Sequence, residues 1–221
     1  MIQPDARSRL TAADLQCLLH QTTGRVPDPE EVDIWLQDVS LDQVLDTPGL
    51  PDQLASIPVP GPSPSLFFYV MVRHALLARG LDDREVADYC AALIREFGLR
   101  DRAWRVAAVD DEQHRYLVDL LADLTRSSGE RQFRVMVHLG NHALWLAGLF
   151  PERITARRER RGSPGLGYYD TLGYRGYAEA SEHWLAARVG LAGVLSTAAA
   201  HFTTVRGALN DVSDRFRREA A

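Results

Sequence analysis

The stretch LAGVLSTAAAHFTTVRGALNDVSDRF, residues 191–216, sets Leu191, Leu195, Ala198, Phe202, Val205, Leu209, Val212 and Phe216 at alternating intervals of four and three. Such spacing keeps every apolar side chain on one side of a helix, as in the a/d seam of a bundle or coiled coil. A half-buried strand would alternate every second residue, and no part of the chain does so. The reading is therefore all-α: a helical bundle of about five longer helices with a short-helix N-terminal appendage.

The segments upstream agree. Thr11 to Asp14, Ser40 to Gln43, Asp82 to Glu85 and Asp110 to Gln113 each carry the polar residues that open helices, and Asp28-Pro29-Glu30-Glu31 sets a capping Asp before a first-turn proline. Three short helices are expected before residue 48. Residues 58–64, PVPGPSP, hold four prolines in seven positions and read as an extended linker. The expected organisation is an N-terminal appendage over 1–57, a Pro-rich linker over 58–64 and a bundle over 65–221. Ser63-Pro64 opens a helix that Gly80 can end. Residues 152–167, ERITARRERRGSPGLG, read as a helix end and loop.

Composition narrows the function classes. The chain has 221 residues, 46% of them hydrophobic and 25% charged, with a formal net charge of −5. That charge excludes binding of nucleic acid over the whole surface while allowing a local basic patch. All 25 basic residues are arginine, so every cationic contact has guanidinium geometry, suited to carboxylate or phosphate. Cys17 and Cys90 form no metal-binding or redox spacing and read as buried thiols. The N-terminus lacks the apolar segment of a signal peptide, and no uncharged run reaches the ~20 residues of a membrane span. A cytoplasmic, non-membrane protein is expected.

Three places carry candidate chemistry. Val135 to Phe150 is uncharged yet holds His138, Asn141 and His142. Two histidines four apart share a helix face and suit a divalent transition metal. Further ligands would come from Glu179, Glu182 and His183 in YAEASEHW. The bland alternative is a pair of core histidines hydrogen-bonded to Asn141, tyrosines or backbone. Neither the paired Glu-x-x-His of di-iron bundles nor HExxH occurs.

The second place is the basic run after Pro151, with Arg153, Arg157, Arg158, Arg160 and Arg161. It reads as an anion site through Arg157, Arg158, Arg160 and Arg161, or else as a solvated helix end. The third is the tyrosine group at 168–177, of which Tyr169 and Tyr177, with Asn141, are candidate ligand contacts. No nucleophile elbow or Cys/His pair is present.

Three blocks, SPSLFFYVMVRHALLARG (63–80), LGNHALWLAGLFPERI (139–154) and YYDTLGYRGYAEAS (168–181), resemble an uncharacterised family of helical bacterial proteins. The resemblance implies a helical bacterial protein and assigns no activity. Three readings stand at this point. The first is a non-catalytic bundle acting through self-association or a protein partner, from the long seam. The second is a metal- or ligand-binding enzyme or sensor, from the His/Glu set. The third is an anion- or RNA-binding adaptor, from the arginines.

Overall fold

A computed structural model describes residues 1–24, 28, 32, 34–35, 39–58, 61–99 and 101–219. Among the described residues there are twelve α-helices and no strand, so the protein is all-α. Helices α1 (Ala12–Thr23), α2 (Leu41–Leu45) and α3 (Leu50–Ala55) come first. They are followed by α4 (Pro64–Ala78), α5 (Arg84–Phe97), α6 (Leu117–Arg126), α7 (Gly129–Leu149) and α8 (Pro151–Arg161). The chain closes with α9 (Leu166–Glu182), α10 (Trp184–Arg188), α11 (Ala192–Ala200) and α12 (Phe202–Glu219). Five of these, α4, α5, α7, α9 and α12, have fourteen residues or more. Single 3₁₀ turns lie at Arg7–Arg9 and Arg102–Trp104.

Several helix starts follow the expected chemistry. Thr11 and Asp14 form a reciprocal capping box, and Ser63 accepts the Leu66 N–H with Pro64 in the first helical position. Others differ. Ser40 makes no side-chain cap. Asp83, not Asp82, caps α5, because Asp82 instead takes a bond from Arg73. Asp110 accepts from the Ala107 N–H and from Arg131, leaving Asp119 to accept the Tyr116 N–H at the start of α6. The helix start expected at residues 29–31, and residues 59–60 of the expected linker, lie outside the described residues.

The core is built around α7. Ten successive residues, 135–144, are buried, which explains the uncharged run: a helix surrounded on all sides must be apolar all round. α7 packs against α9 and α12 most extensively, and against α5 and α6; α4 packs against α5 and α12.

The expected seam is used inside the chain. Its first seven residues are buried, and Phe216 stacks on Phe67 at 5.7 Å between ring centroids. It is not one continuous helix, however. The backbone leaves helical geometry at His201 (φ −113°, ψ 25°), so α11 can pack on α9 and α5 while α12 turns to α7 and α4.

The N-terminal short helices share the bundle's core instead of forming their own. One apolar cluster joins Ile2, Leu18, Leu45 and Leu54 to the side chains around α7. Arg7 seals the join. Its backbone N–H and Nε donate to Asp88 on α5 at 2.7 and 2.8 Å, and its Nη1 donates to Asp42 at 2.9 Å. Arg73, 1% exposed, donates to Asp46 at 2.8 and 2.9 Å and to Asp82 at 2.6 Å. A guanidinium at that depth persists because its charge is met by carboxylates. Among the described residues, no helix is long and apolar enough to cross a membrane.

Residues 152–167, expected to be a helix end and loop, are helical through Arg161 in α8 and again from Leu166 in α9. Pro151 has no N–H, so the carbonyl of Ala147 loses its partner one turn back and α7 must stop. Asn210 on α12 replaces that partner: its amide donates to the carbonyls of Ala147 and Gly148 at 2.8 and 2.7 Å. The Ser213 hydroxyl donates to Leu149 at 2.8 Å. With the end of α7 satisfied in this way, Pro151 occupies the first position of a new helix. This junction sets the direction of the arginine-bearing face.

Candidate functional site

The histidine pair is buried: His138 is 3% and His142 0% exposed. Their rings lie 5.7 Å apart and meet edge to face. His138 packs beside Phe97 at 5.5 Å and His142 beside Trp104 at 5.3 Å. His114, remote in sequence, is also buried, and its backbone N–H donates to the Trp104 carbonyl at 2.6 Å. Among the described residues, neither ring nitrogen of His142 meets a hydrogen-bond partner, nor does Nε2 of His138. Burial drives both away from the charged form. The His142 pKa is lowered to about 4, first by desolvation and then by His114. His138 is held well below its ordinary value, by desolvation and then by His142, Arg102 and His114.

The carboxylates and third histidine expected to complete a metal site are engaged elsewhere. Glu179 pairs with Arg175 one turn back at 2.5 Å, and Glu182 is exposed. The backbone extends at His183 (ψ 137°), which ends α9, and its Nδ1 accepts the Leu185 N–H at 3.2 Å to open α10. The His183 ring stacks on Phe133 at 5.3 Å. Among the described residues, no group of three or more His, Cys, Asp or Glu side chains is placed to hold a metal ion.

Asn141 and Tyr177 are likewise packing residues. The Asn141 Oδ1 accepts hydrogen bonds from the hydroxyls of Tyr89 and Tyr177, both at 2.8 Å, and both phenols are fully buried. Beside His138 and Asn141 there is a crevice of only about 10 Å³, space for one water at most.

A much larger cleft, about 530 Å³, opens on the other side of Trp104. One wall is α8, with Arg153, Arg157 and Arg161 on successive turns; Arg115 enters from the segment just before α6. Trp104, Trp145 and Phe150 form an aromatic end. Trp145 meets Trp104 at 5.6 Å and Phe150 at 4.9 Å, both edge to face. Tyr168 and Tyr169 also line the cleft, with Ser163 from the turn between α8 and α9. Arg153 lies over the Phe150 ring at 5.5 Å. The Tyr169 phenol is pushed up by burial, against the pull of nearby Arg157.

The charges in this cleft are all of one sign. Its lining includes four arginines and no carboxylate. All four are exposed, and none forms an ion pair among the described residues. Elsewhere the chain matches arginine to acid repeatedly, as in Arg131 with Asp110 and Asp123, or Arg206 with Asp170. Of the expected anion set, Arg157 and Arg161 reach the cleft. Arg160 instead donates to the Ala156 carbonyl at 3.2 Å, and Arg158 lies against Gly165. Arg153 and Arg115 take their places in the lining.

Comparison with family models, with curated proteins and with solved structures finds no match.

Proposed function

We propose that the protein binds a small organic anion with a planar apolar part, seated in the cleft between α8 and the Trp104–Trp145–Phe150 cluster. One observation carries the reading: four guanidinium groups without ion-pair partners line an aromatic cleft that contains no carboxylate. Its volume falls in the range of pockets that hold drug-sized ligands. Guanidinium forks supply paired donors for carboxylate, sulfonate or phosphate, and the aromatic end takes a flat ring.

Two features weigh against the other readings. The seam that suggested association is consumed within one chain. The His/Glu set that suggested a metal is dispersed.

Calorimetric titration with 1-naphthyl phosphate and with neutral 1-naphthol tests the proposal. The phosphate is expected to bind at least tenfold more tightly, equivalent to about 1.4 kcal/mol. Arg157→Gln, at an exposed position, should remove most of that advantage without shifting the thermal midpoint. Raising the salt concentration should weaken the phosphate alone. Equal binding of the two compounds, or no binding of either, overturns it.

A further inference from the structure

Resting on that anion-binding reading, we infer that the ligand is a nucleoside polyphosphate: a planar base at the tryptophan end and a chain of phosphoryl groups along α8. Arg153, Arg157 and Arg161 stand at intervals of four residues, so their attachment points span about 12 Å along one helix wall. A single carboxylate or phosphate engages the fork of one or two of them and leaves the rest uncompensated. A chain of two or three phosphoryl groups presents anionic oxygens over a comparable length.

The helix itself supports this. Like charges four residues apart destabilise an isolated helix. Other helices set an acid one turn from an arginine, as in Glu130 with Arg134 and Arg175 with Glu179. On α8 neither Glu152 nor Glu159 stands three or four residues from any of the three cleft arginines, and Glu152 pairs with Arg217 instead. The row that faces the cleft has no acid at pairing distance along its own helix.

The two ends of the cleft differ in chemistry. Near Arg153 the lining is Trp104, Trp145 and Phe150, flanked by Leu146 and Ile154: a flat apolar seat for a base. Near Arg161 it is Ser163 and the start of α9, a seventeen-residue helix whose first turn no side chain caps. The positive end of that helix dipole favours negative charge on the same side as Arg161. Arg115, from the segment before α6, adds a fourth guanidinium to the lining. The chain's overall negative charge disfavours a long nucleic acid and leaves a small polyanion as the matching occupant.

The test is a titration series on the full chain at fixed ionic strength: adenosine, AMP, ADP, ATP and inorganic triphosphate, followed by calorimetry. Affinity is expected to rise at least tenfold from AMP to ATP, with ATP at least fivefold tighter than triphosphate. Arg161→Gln should bring ATP close to AMP while leaving AMP unchanged. Trp145→Leu should bring ATP close to triphosphate. Equal affinity for AMP and ATP overturns the phosphoryl-chain assignment, and triphosphate binding as tightly as ATP overturns the base assignment. If the whole series is silent while 1-naphthyl phosphate binds, the nucleotide class is wrong and the anion cleft stands. If naphthyl phosphate is silent too, both readings fall. Tight binding of single-stranded RNA without binding of any free nucleotide also overturns the inference.

Discussion

Gly176→Ala is expected to cost about 3 kcal/mol or more, the upper end of overpacking penalties, and to abolish a sharp unfolding transition. A methyl group there would lie 2.7 Å from the Gly140 nitrogen and 2.8 Å from the Met136 carbonyl oxygen. Both atoms belong to the backbone of α7, so no rotamer change can relieve the overlap. The same crossing is tight in the other direction, since a methyl on Gly140 would run into the Tyr177 ring. Separating α7 from α9 would also loosen the phenols of Tyr89 and Tyr177 from Asn141. Gly167→Ala is the internal control. It lies in the same helix with nothing within 4 Å of the new methyl, so a change between zero and about 1 kcal/mol of added stability is expected. Urea denaturation of both variants decides the matter. A Gly176→Ala midpoint indistinguishable from the parent protein would show that the two helices are not in backbone contact.

The second large effect is a loss of stability as pH falls from neutrality toward 4. The free-chain value of histidine is near 6.5, and His142 in the fold is lowered to about 4. Below pH 6.5 the unfolded chain therefore takes up a proton that the folded one refuses, and stability drops until the folded group also titrates. Over that window His142 alone removes about 3 kcal/mol, at about 1.4 kcal/mol per pH unit. His138 acts in the same direction. The groups facing the pair are His114, Arg102 and the aromatic rings of Phe97 and Trp104; none supplies a carboxylate directly to either ring. Carboxylates held low by arginines, such as Asp46 beside Arg73, add their share only below about pH 4, their ordinary range. Urea midpoints at pH 7, 6 and 5 should fall steadily, and the decline should be shallower in His142→Leu. A flat profile, or one unchanged by the substitution, would falsify the assignment of neutral buried imidazoles.

The elements that could be read from the chain are those whose apolar faces repeat. The residues at 191–216 alternate cleanly, and those of α7 lack charge, so both helices announce themselves. Helix α8 does not. Ile154 is its one buried residue, because its inward side faces a cleft and not the core. Without an apolar stripe, the periodicity that reveals a full helix is missing, and the sequence supports only a helix end and loop there. The cleft was hidden for a second reason: its aromatic lining comes from Trp104, Trp145 and Tyr169, which are distant from one another in sequence. For the histidines, burial could be anticipated from their neighbours, and the pairing of Glu179 with Arg175 from their spacing of four on a helix. The role of His183 as a helix cap could not, because it depends on where α9 breaks. The glycines at 140, 173 and 176 were the overlooked clue, since glycine inside a helical pattern often marks where another backbone approaches closely.

The bond from Arg7 to Asp88 ties the opening turn of the chain to the middle of the bundle. Asp88 is buried, and desolvation raises its pKa even with that arginine in place. A protease that trimmed the leading residues would strand this carboxylate and uncover the apolar flank of α4 and α5. Damage at the front of the molecule would then register as collapse of the whole, not as loss of a tail.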